Sequence, residues 1–340
     1  MEVNPSPSKT SGARKSLARP LSIWVISDGR AGIENQSLGL AEAVARETPA
    51  EITRYHVRWK PLFDRLPSAL KQPWMLEQGA DLLTTIPPPD LWIATGRATL
   101  PLSVRIKAAS KGKTLVVQTQ DPRWKNDRYD LIVAPDHDGL RGANVLSITG
   151  SPHRITPEQL AKAAPAFTDR IEPLPRPRVA VMIGGKSKAF DLTPEHAAHM
   201  ADQIAEAVQS SGGSLLLTFS RRTPDAAKAV MAERLSHLSG WIWEGTGENP
   251  LFGFLHYCDH VLVTEDSANM AAEAASTGKP VHILPMVPIK SGGKFARLHA
   301  ALVAHGASRP FNGELAHWSY QPLAETRRAA KAILDALAAR

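Results

Sequence analysis

Short apolar runs alternate along the chain with longer stretches in which apolar residues recur every three to four positions, the signature of strand followed by helix. "LSIWVIS" (21–27) predicts a strand that turns through "DGRAGIENQ" into the helix "SLGLAEAVARE". "EITRYHVRW", "DLWIATG", "KTLVVQTQ", "YDLIVAPDHD" and "NVLSITG" predict five further strands, with a helix over "RATLPLSVRIKAAS". A helix from 157 to about 169 leads to Pro173, Pro175 and Pro177, an alternation that suits neither helix nor sheet interior and predicts a linker over 171–178. The alternation then restarts with "VAVMIG" (179–184) and the helix "EHAAHMADQIAEAVQSSG". It runs on through the strands "SLLLTFS", "GWIWEG", "DHVLVTE" and "PVHILP", with helices between them.

Strands alternating with amphipathic helices predict α/β architecture with parallel, doubly wound sheets, and the proline run predicts two of them. The expected organisation is a basic tail (1–20), a first Rossmann-like domain (21–170), the linker (171–178), a second such domain (179–320) and a terminal helix (321–340). A length of 340 residues exceeds what one core usually organises, which agrees with two. In such sheets ligands lie beyond the carboxyl ends of the strands, so the cleft between the two is the expected site.

Composition narrows the chemistry only in places. No apolar run approaches the roughly 18 residues that span a bilayer. The charge of +7 is diffuse apart from a tail carrying Lys9, Arg14, Lys15 and Arg19 against Glu2, and no basic motif interleaved with aromatics appears, so nucleic acid is not an expected partner. Phosphorylated ligands or an anionic membrane surface fit better. The tail is expected to be disordered. Its Arg/Ser bias has only a faint likeness to a transit peptide, the apolar stretch behind it is too short for a signal-peptide core, and the expectation is a flexible basic tail able to touch acidic lipid. One cysteine, Cys258, excludes an intrachain disulfide and a cysteine zinc site, and points to a reducing cytoplasm, with the protein at most peripheral to the inner membrane.

The strand ends carry the candidate residues. "SDGRAG" places Asp28, Gly29, Arg30 and Gly32 at a helix start suited to an anion, or else Asp28 is a local cap. It lacks the dinucleotide glycine spacing, which disfavours a nicotinamide cofactor. Gly96 and Arg97 repeat the arrangement after the third strand. His137, between Asp136 and Asp138, is either a general base or part of a polar turn. Those two acids form an Asp-x-Asp pair, but in the half opposite the one expected to hold a metal-bound donor, and no further ligand marks a metal site.

"MIGGKSKAF" offers Gly184, Gly185, Lys186 and Ser187 to a diphosphate leaving group, although it is not a P-loop. "TFSRRTP" adds Ser220 and the consecutive Arg221 and Arg222, of which at most one is expected to reach a ligand. "LVTEDSANMAAEAASTGKPVHILP" brings Glu265, Asp266 and Ser267 to a helix N-terminus, with Glu273 two turns on. A carboxylate at 273 suits the paired hydroxyls of ribose better than phosphate.

Together these segments resemble the GT-B class of nucleotide-sugar glycosyltransferases, two Rossmann-like domains facing a cleft. "TEDSANMAAEAASTGKPVHILP" is similar to the donor segment of the lipid-linked N-acetylglucosamine transferases of peptidoglycan synthesis, which implies ribose binding by Glu273. Glu265 departs from that pattern, since an arginine stands there in those enzymes; it is grouped with the donor residues by position, without an assigned role. From about residue 22 to 320, "WVISDGRAGIENQSLGLAEA", "IATGR", "VQTQDPR", "DHDGL", "GSPHRI", "IGGKSKAF", "TFSRRTP" and "VTEDSANMAAEAASTGKPV" resemble, in this order, the elongated-mitochondria family of mitochondrial fission factors and bacterial glycosyltransferase-like proteins.

The resemblance implies metal-independent transfer of a sugar from a nucleoside diphosphate, with no resident cofactor, to a lipid-linked or cell-envelope acceptor. The donor would sit on Gly184, Gly185, Lys186, Ser187, Ser220, Arg221, Arg222, Glu265, Asp266, Ser267 and Glu273, the acceptor near Gly29, Arg30, Gly32, Gly96 and Arg97, and the base would be Asp28 or His137. A nucleotide-sugar epimerase of the same architecture and a non-enzymatic interaction protein at a membrane are the alternatives.

Overall fold

The computed structural model describes residues 19–290 and 293–340. The expectation of a disordered tail lies outside the described residues except for Arg19 and Pro20; Arg19 forms an ion pair with Asp90 at 2.7 Å.

The first sheet contains strands β1 (Leu21–Ser27), β2 (Ala50–His56), β3 (Leu91–Thr95), β4 (Leu115–Thr119), β5 (Leu131–Pro135) and β6 (Val145–Ile148). They lie in the order β2-β1-β3-β4-β5-β6, and every neighbouring pair is parallel. Helices α1 (Ala31–Ala45) and α2 (Leu100–Ala109) follow β1 and β3. Because helices cover the sheet, its central strands are buried on both faces, which is why β3 and β4 begin as apolar runs, Leu91–Ala94 and Leu115–Val117, rather than as an alternation.

The chain crosses to the second half through residues 149–156 and enters helix α3 (Pro157–Ala163), capped by the Thr156 hydroxyl with Pro157 in its first turn. The second sheet contains β7 (Arg178–Ile183), β8 (Ser214–Phe219), β9 (Gly240–Trp243), β10 (His260–Thr264), β11 (Val281–Leu284) and β12 (Ser308–Pro310). Their order, β9-β8-β7-β10-β11-β12, is the doubly wound arrangement of a dinucleotide-binding sheet, again parallel throughout. Its helices are α4 (Pro194–Ser210), α5 (Asp225–Leu235), α6 (Leu251–Tyr257), α7 (Ala268–Ala275) and α8 (Gly293–Ala304). Helix α9 (Glu325–Ala338) ends the chain.

The two Rossmann-like sheets are as expected, but their membership is exchanged at both ends. Leu160 and Phe167, assigned by sequence to the first half, and Ile171, assigned to the linker, are buried beside Phe254 and Leu255 of the second. The crossing therefore precedes the proline run, and Pro173, Pro175 and Pro177 lie within the second half. Conversely, α9 returns to place Ala329, Ala330 and Ile333 against Leu40 and Val44 of α1. Its apolar face is thus spent inside the molecule and is not an outward contact surface. The two crossing segments are bonded to each other: the Thr149 amide donates to Glu325 Oε2 at 2.9 Å, and the His153 amide to the Thr326 hydroxyl at 3.2 Å.

Candidate functional site

In each sheet the strand order reverses beside its first strand, between β1 and β3 and between β7 and β10, and the loops leaving these strands diverge to open a crevice. Between the two halves lies a cleft of about 610 Å³. Arg97, Gln120, Trp124 and His137 line it from the first half; Ala268, Asn269 and Lys294 line it from the second.

The second half's floor is a closed polar knot. The Gly184 amide donates to the Thr264 hydroxyl at 2.7 Å, that hydroxyl donates to Asp266 Oδ1 at 2.7 Å, and the Gly185 amide donates to Asp266 Oδ2 at 3.1 Å. Arg222 Nη2 lies 2.8 Å from the same carboxylate, whose side chain is 0% exposed. Gly184 must be glycine because a Cβ there would stand 1.9 Å from Asp266 Oδ1.

The expectation that the Gly184 and Gly185 amides and Asp266 meet a diphosphate is therefore corrected. These amides are already satisfied, and a buried carboxylate fills the space. Ser187 Oγ accepts the amides of Ala189 and Phe190, Ser220 Oγ accepts that of Arg222, and Lys186 pairs with Asp191 at 3.3 Å. Glu265 acquires a structural role: its Oε1 accepts the Met286 amide at 2.6 Å, joining the ends of β10 and β11. Arg221 stays exposed.

Helix α7 is what this knot positions. Ser267 is its N-cap, accepting the Met270 amide at 3.4 Å. The amides of Ala268 and Asn269, both on the cleft wall, have no acceptor among the described residues, so the positive end of the helix dipole opens into the cleft with Lys294 nearby. Glu273 lies one turn beyond Asn269, on the same helix face, and is not itself among the residues that line the cleft. Its carboxylate is partly buried, meets no hydrogen-bond donor or ion pair among the described residues, and has its pKa raised by burial from 4.5 to about 7. Ala272 of the same helix packs against Gly150, where a Cβ would stand 2.4 Å from the alanine's own.

On the first half, the structure divides the expected residues. Arg97 and His137 line the cleft, whereas Asp28, Gly29, Arg30, Gly32 and Gly96 are not among its lining residues. Asp28 accepts the Arg30 amide at 3.1 Å and holds its guanidinium at 2.6 Å, so its part is local, as a turn cap. His137 is buried and its Nδ1 has no partner among the described residues. Burial lowers its pKa; Asp138 opposes this, and Lys294 and Arg297 add to it. That nitrogen is itself buried, so the imidazole is held neutral on the cleft wall with a ring nitrogen that no group among the described residues satisfies. Arg297 of α8 donates to the His137 carbonyl and Lys294 Nζ approaches Asp138 at 3.9 Å, so the wall carrying His137 is tied across the cleft to the second half.

Sequence reasoning missed Trp124, Asn269 and Lys294. One signal lies in the backbone: Gln120, Arg123 and Lys125 have φ of 67°, 52° and 50°, three of the four such non-glycine residues among those described, and all within one cleft loop. Side chains held in that region cost energy, and such strain gathers where a ligand is bound. Away from the cleft lining, Glu34 accepts from Ser27 at 3.2 Å and meets His56 Nε2 at 2.7 Å, a polar cluster at the ends of β1 and β2. Among the described residues no group of three His, Cys, Asp or Glu side chains is placed to hold a metal.

A sequence profile of the family described as "Mitochondrial fission ELM1" matches residues 31–337. The mitochondrial fission protein ELM1 of Arabidopsis thaliana is 32% identical over 279 residues, covering 74% of this chain and 65% of its own length. The chain thus spans about two thirds of that relative. An uncharacterized protein of Rickettsia prowazekii is 26% identical over 359 residues, covering 93% of this chain and 99% of its own. Among solved structures, UDP-GlcNAc 2-epimerase from Methanocaldococcus jannaschii matches with a TM-score of 0.55 at 12% identity, over 93% of this chain and 99% of that one. The same enzyme in complex with UDP-GlcNAc and UDP matches with a TM-score of 0.54 at 13% identity, over 94% and 100%. These likenesses establish the two-domain GT-B fold, which is shared by epimerases and glycosyltransferases. The chain belongs to the mitochondrial fission ELM1 family.

Proposed function

We propose that this member of the mitochondrial fission ELM1 family binds a nucleoside-diphosphate sugar on its second half and transfers the sugar to an acceptor held on its first. The observation that carries the reading is Glu273, an acid buried at an energetic cost with no partner among the described residues, one turn behind open helix amides. A ribose supplies the two hydroxyl donors that such a carboxylate lacks. The diphosphate would meet the amides of Ala268 and Asn269 and the Lys294 ammonium, which neutralise the charge that develops as the bond to sugar breaks. These groups provide the stabilisation a metal would otherwise give. The Thr264–Asp266–Arg222 knot would not touch the ligand; it would fix the start of α7.

The acceptor hydroxyl would lie between Arg97, Trp124 and His137, with His137 as the general base. Trp124 offers an apolar ring face to a sugar, and Arg97 and Arg123 an anion site beside it. A ligand that binds only the folded state raises its apparent stability, so thermal shift against UDP-, GDP-, ADP- and CMP-sugars identifies the nucleotide. The absence of a shift with every one of them would defeat the reading in favour of an interaction protein of the mitochondrial-fission type.

A second reading, an epimerase, draws on the fold shared with the M. jannaschii enzyme. It requires turnover of the sugar nucleotide with no acceptor present, which a transferase does not give.

A further inference from the structure

The run "GSPHRI" (150–155) carries the chain from β6 into the second half, alongside α7. Gly150, with φ of 76°, lets the backbone lie on the first turn of that helix: a Cβ there would stand 2.4 Å from that of Ala272 and 3.9 Å from the Ala268 carbonyl oxygen. His153 secures the helix's other end. Its Nδ1 accepts the Ile155 amide at 3.2 Å, so the neutral ring carries its one hydrogen on Nε2 and donates it to Ser276 Oγ at 2.9 Å. That hydroxyl donates in turn to the Ala272 carbonyl at 2.9 Å. Burial lowers the pKa of His153 to about 4, which keeps the ring neutral. The His153 amide and the Arg154 guanidinium are also occupied, by the Thr326 hydroxyl of α9 at 3.2 Å and by Glu42 of α1 at 3.0 Å.

Ser151 stands apart from this scheme. It is 6% exposed, its neighbour Pro152 is buried and has no amide hydrogen to offer, and its hydroxyl has no partner among the described residues. It lines the cleft together with Lys294 and with Ala268 and Asn269, whose amides form the open N-terminus of α7. A hydroxyl so withdrawn from bulk water is ordinarily hydrogen-bonded. It can turn its hydrogen toward any acceptor in reach, which complements a ligand rich in oxygen lone pairs. Its place is set from both sides, by Gly150 against the first turn of α7 and by His153 at the last, so the hydroxyl is preorganised for such a contact.

We infer that Ser151 is a ligand-contacting residue supplied by the crossing segment itself, and that its hydroxyl donates to a phosphoryl oxygen of the diphosphate beside the Ala268 and Asn269 amides. The inference rests on the nucleoside-diphosphate reading of the cleft and adds a contact that belongs to neither sheet. Because the same segment is bonded to α1 and α9, a diphosphate held there touches the connection between the halves as well as the second half.

The test is calorimetric titration of the full chain with UDP, GDP, ADP and CDP, and with the matching nucleosides, in wild type and Ser151→Ala. The substitution removes one oxygen and adds no bulk, so urea unfolding is expected to be unchanged. The nucleoside diphosphate that wild type binds should lose about tenfold in affinity, as for one hydrogen bond to a charged acceptor, and the nucleoside none. The dependence of binding on pH between 6 and 8 that Glu273 confers should survive in Ser151→Ala. Equal affinity of wild type and Ser151→Ala for the nucleoside diphosphate overturns the inference and leaves the transferase reading standing. An equal loss for the nucleoside overturns it too, since the hydroxyl would then serve base or ribose, and so does a loss of affinity accompanied by loss of the pH dependence, which would mean that α7 itself had moved. A wild type that binds none of the four overturns the transferase reading and this contact with it.

Discussion

Replacing Glu273 by glutamine separates what its carboxylate costs the fold from what it gives a ligand. Burial raises the folded pKa from 4.5 to about 7. An acid shifted upward leaves stability intact below its unfolded pKa and takes it away as pH rises from 4.5 through 7, because only the unfolded chain ionises freely over that interval. At about 1.4 kcal/mol per tenfold the full interval amounts to about 3 kcal/mol. The carboxylate is not sealed from solvent, so about 2 kcal/mol is expected at pH 8. Glu273→Gln should therefore gain about 2 kcal/mol in urea unfolding at pH 8 and almost nothing at pH 4.5.

A ligand that needs the ionised form has the opposite dependence. A sugar nucleotide whose ribose is held by Glu273 should bind wild type about tenfold more weakly at pH 6 than at pH 8, since the free protein is half protonated near 7. Its diphosphate does not titrate in this range, so the dependence belongs to the protein. In Glu273→Gln the dependence should vanish and affinity should fall about 30-fold, the loss of two hydrogen bonds to a charged acceptor. Calorimetric titration at the two pH values reads both quantities. A variant that is more stable at pH 8 yet binds the sugar nucleotide as wild type does would remove the ribose assignment.

Gly184→Ala drives a methyl group into the Asp266 carboxylate and should cost about 3 kcal/mol; an unchanged urea midpoint would mean the knot yields easily. Arg222→Met leaves the buried Asp266 charge without its cation and should destabilise by about 3 kcal/mol, partly recovered in Arg222→Met/Asp266→Asn, and a double variant no better than the single would show the pair is not coupled. His153 and His282 are pulled down from 6.5 to about 4, chiefly by burial, so the stability they support is complete above pH 6.5 and lost as pH falls toward 4. In the Glu273→Gln background the free energy of unfolding should be smaller at pH 5 than at pH 7 by about 2 kcal/mol for each histidine, and a stability flat over that range would refute their burial as neutral groups.

The architecture was readable because each strand and helix announces itself locally, through apolar runs and their period. What was misread depends on neighbours distant in the chain. Asp266 follows a strand and precedes a helix, so by position it belongs to a ligand. It turns inward because the doubly wound order sets β10 beside β7, and Gly184, some 80 residues earlier, leaves the room its carboxylate occupies. The two features were both visible, a glycine and an acid at adjacent strand ends, but only their adjacency tells that one fills the gap of the other.

The same reasoning explains why the proline run misled as a boundary: proline reports local backbone limits, whereas membership of a core is decided by where Leu160, Phe167 and Ile171 find apolar partners. Glu273 escaped this confusion because its chemistry is defined by what the fold withholds. A carboxylate two turns into an alanine-rich helix has few polar neighbours in sequence, and among the described residues the fold brings it no hydrogen-bond donor or ion pair. The positions of Asp266 and Glu273 thus divide the acids of one short segment between two tasks. The first is paired with Arg222 and holds the helix start in place, and the second stands without a partner among the described residues, which is the vacancy the proposed ribose contact would use.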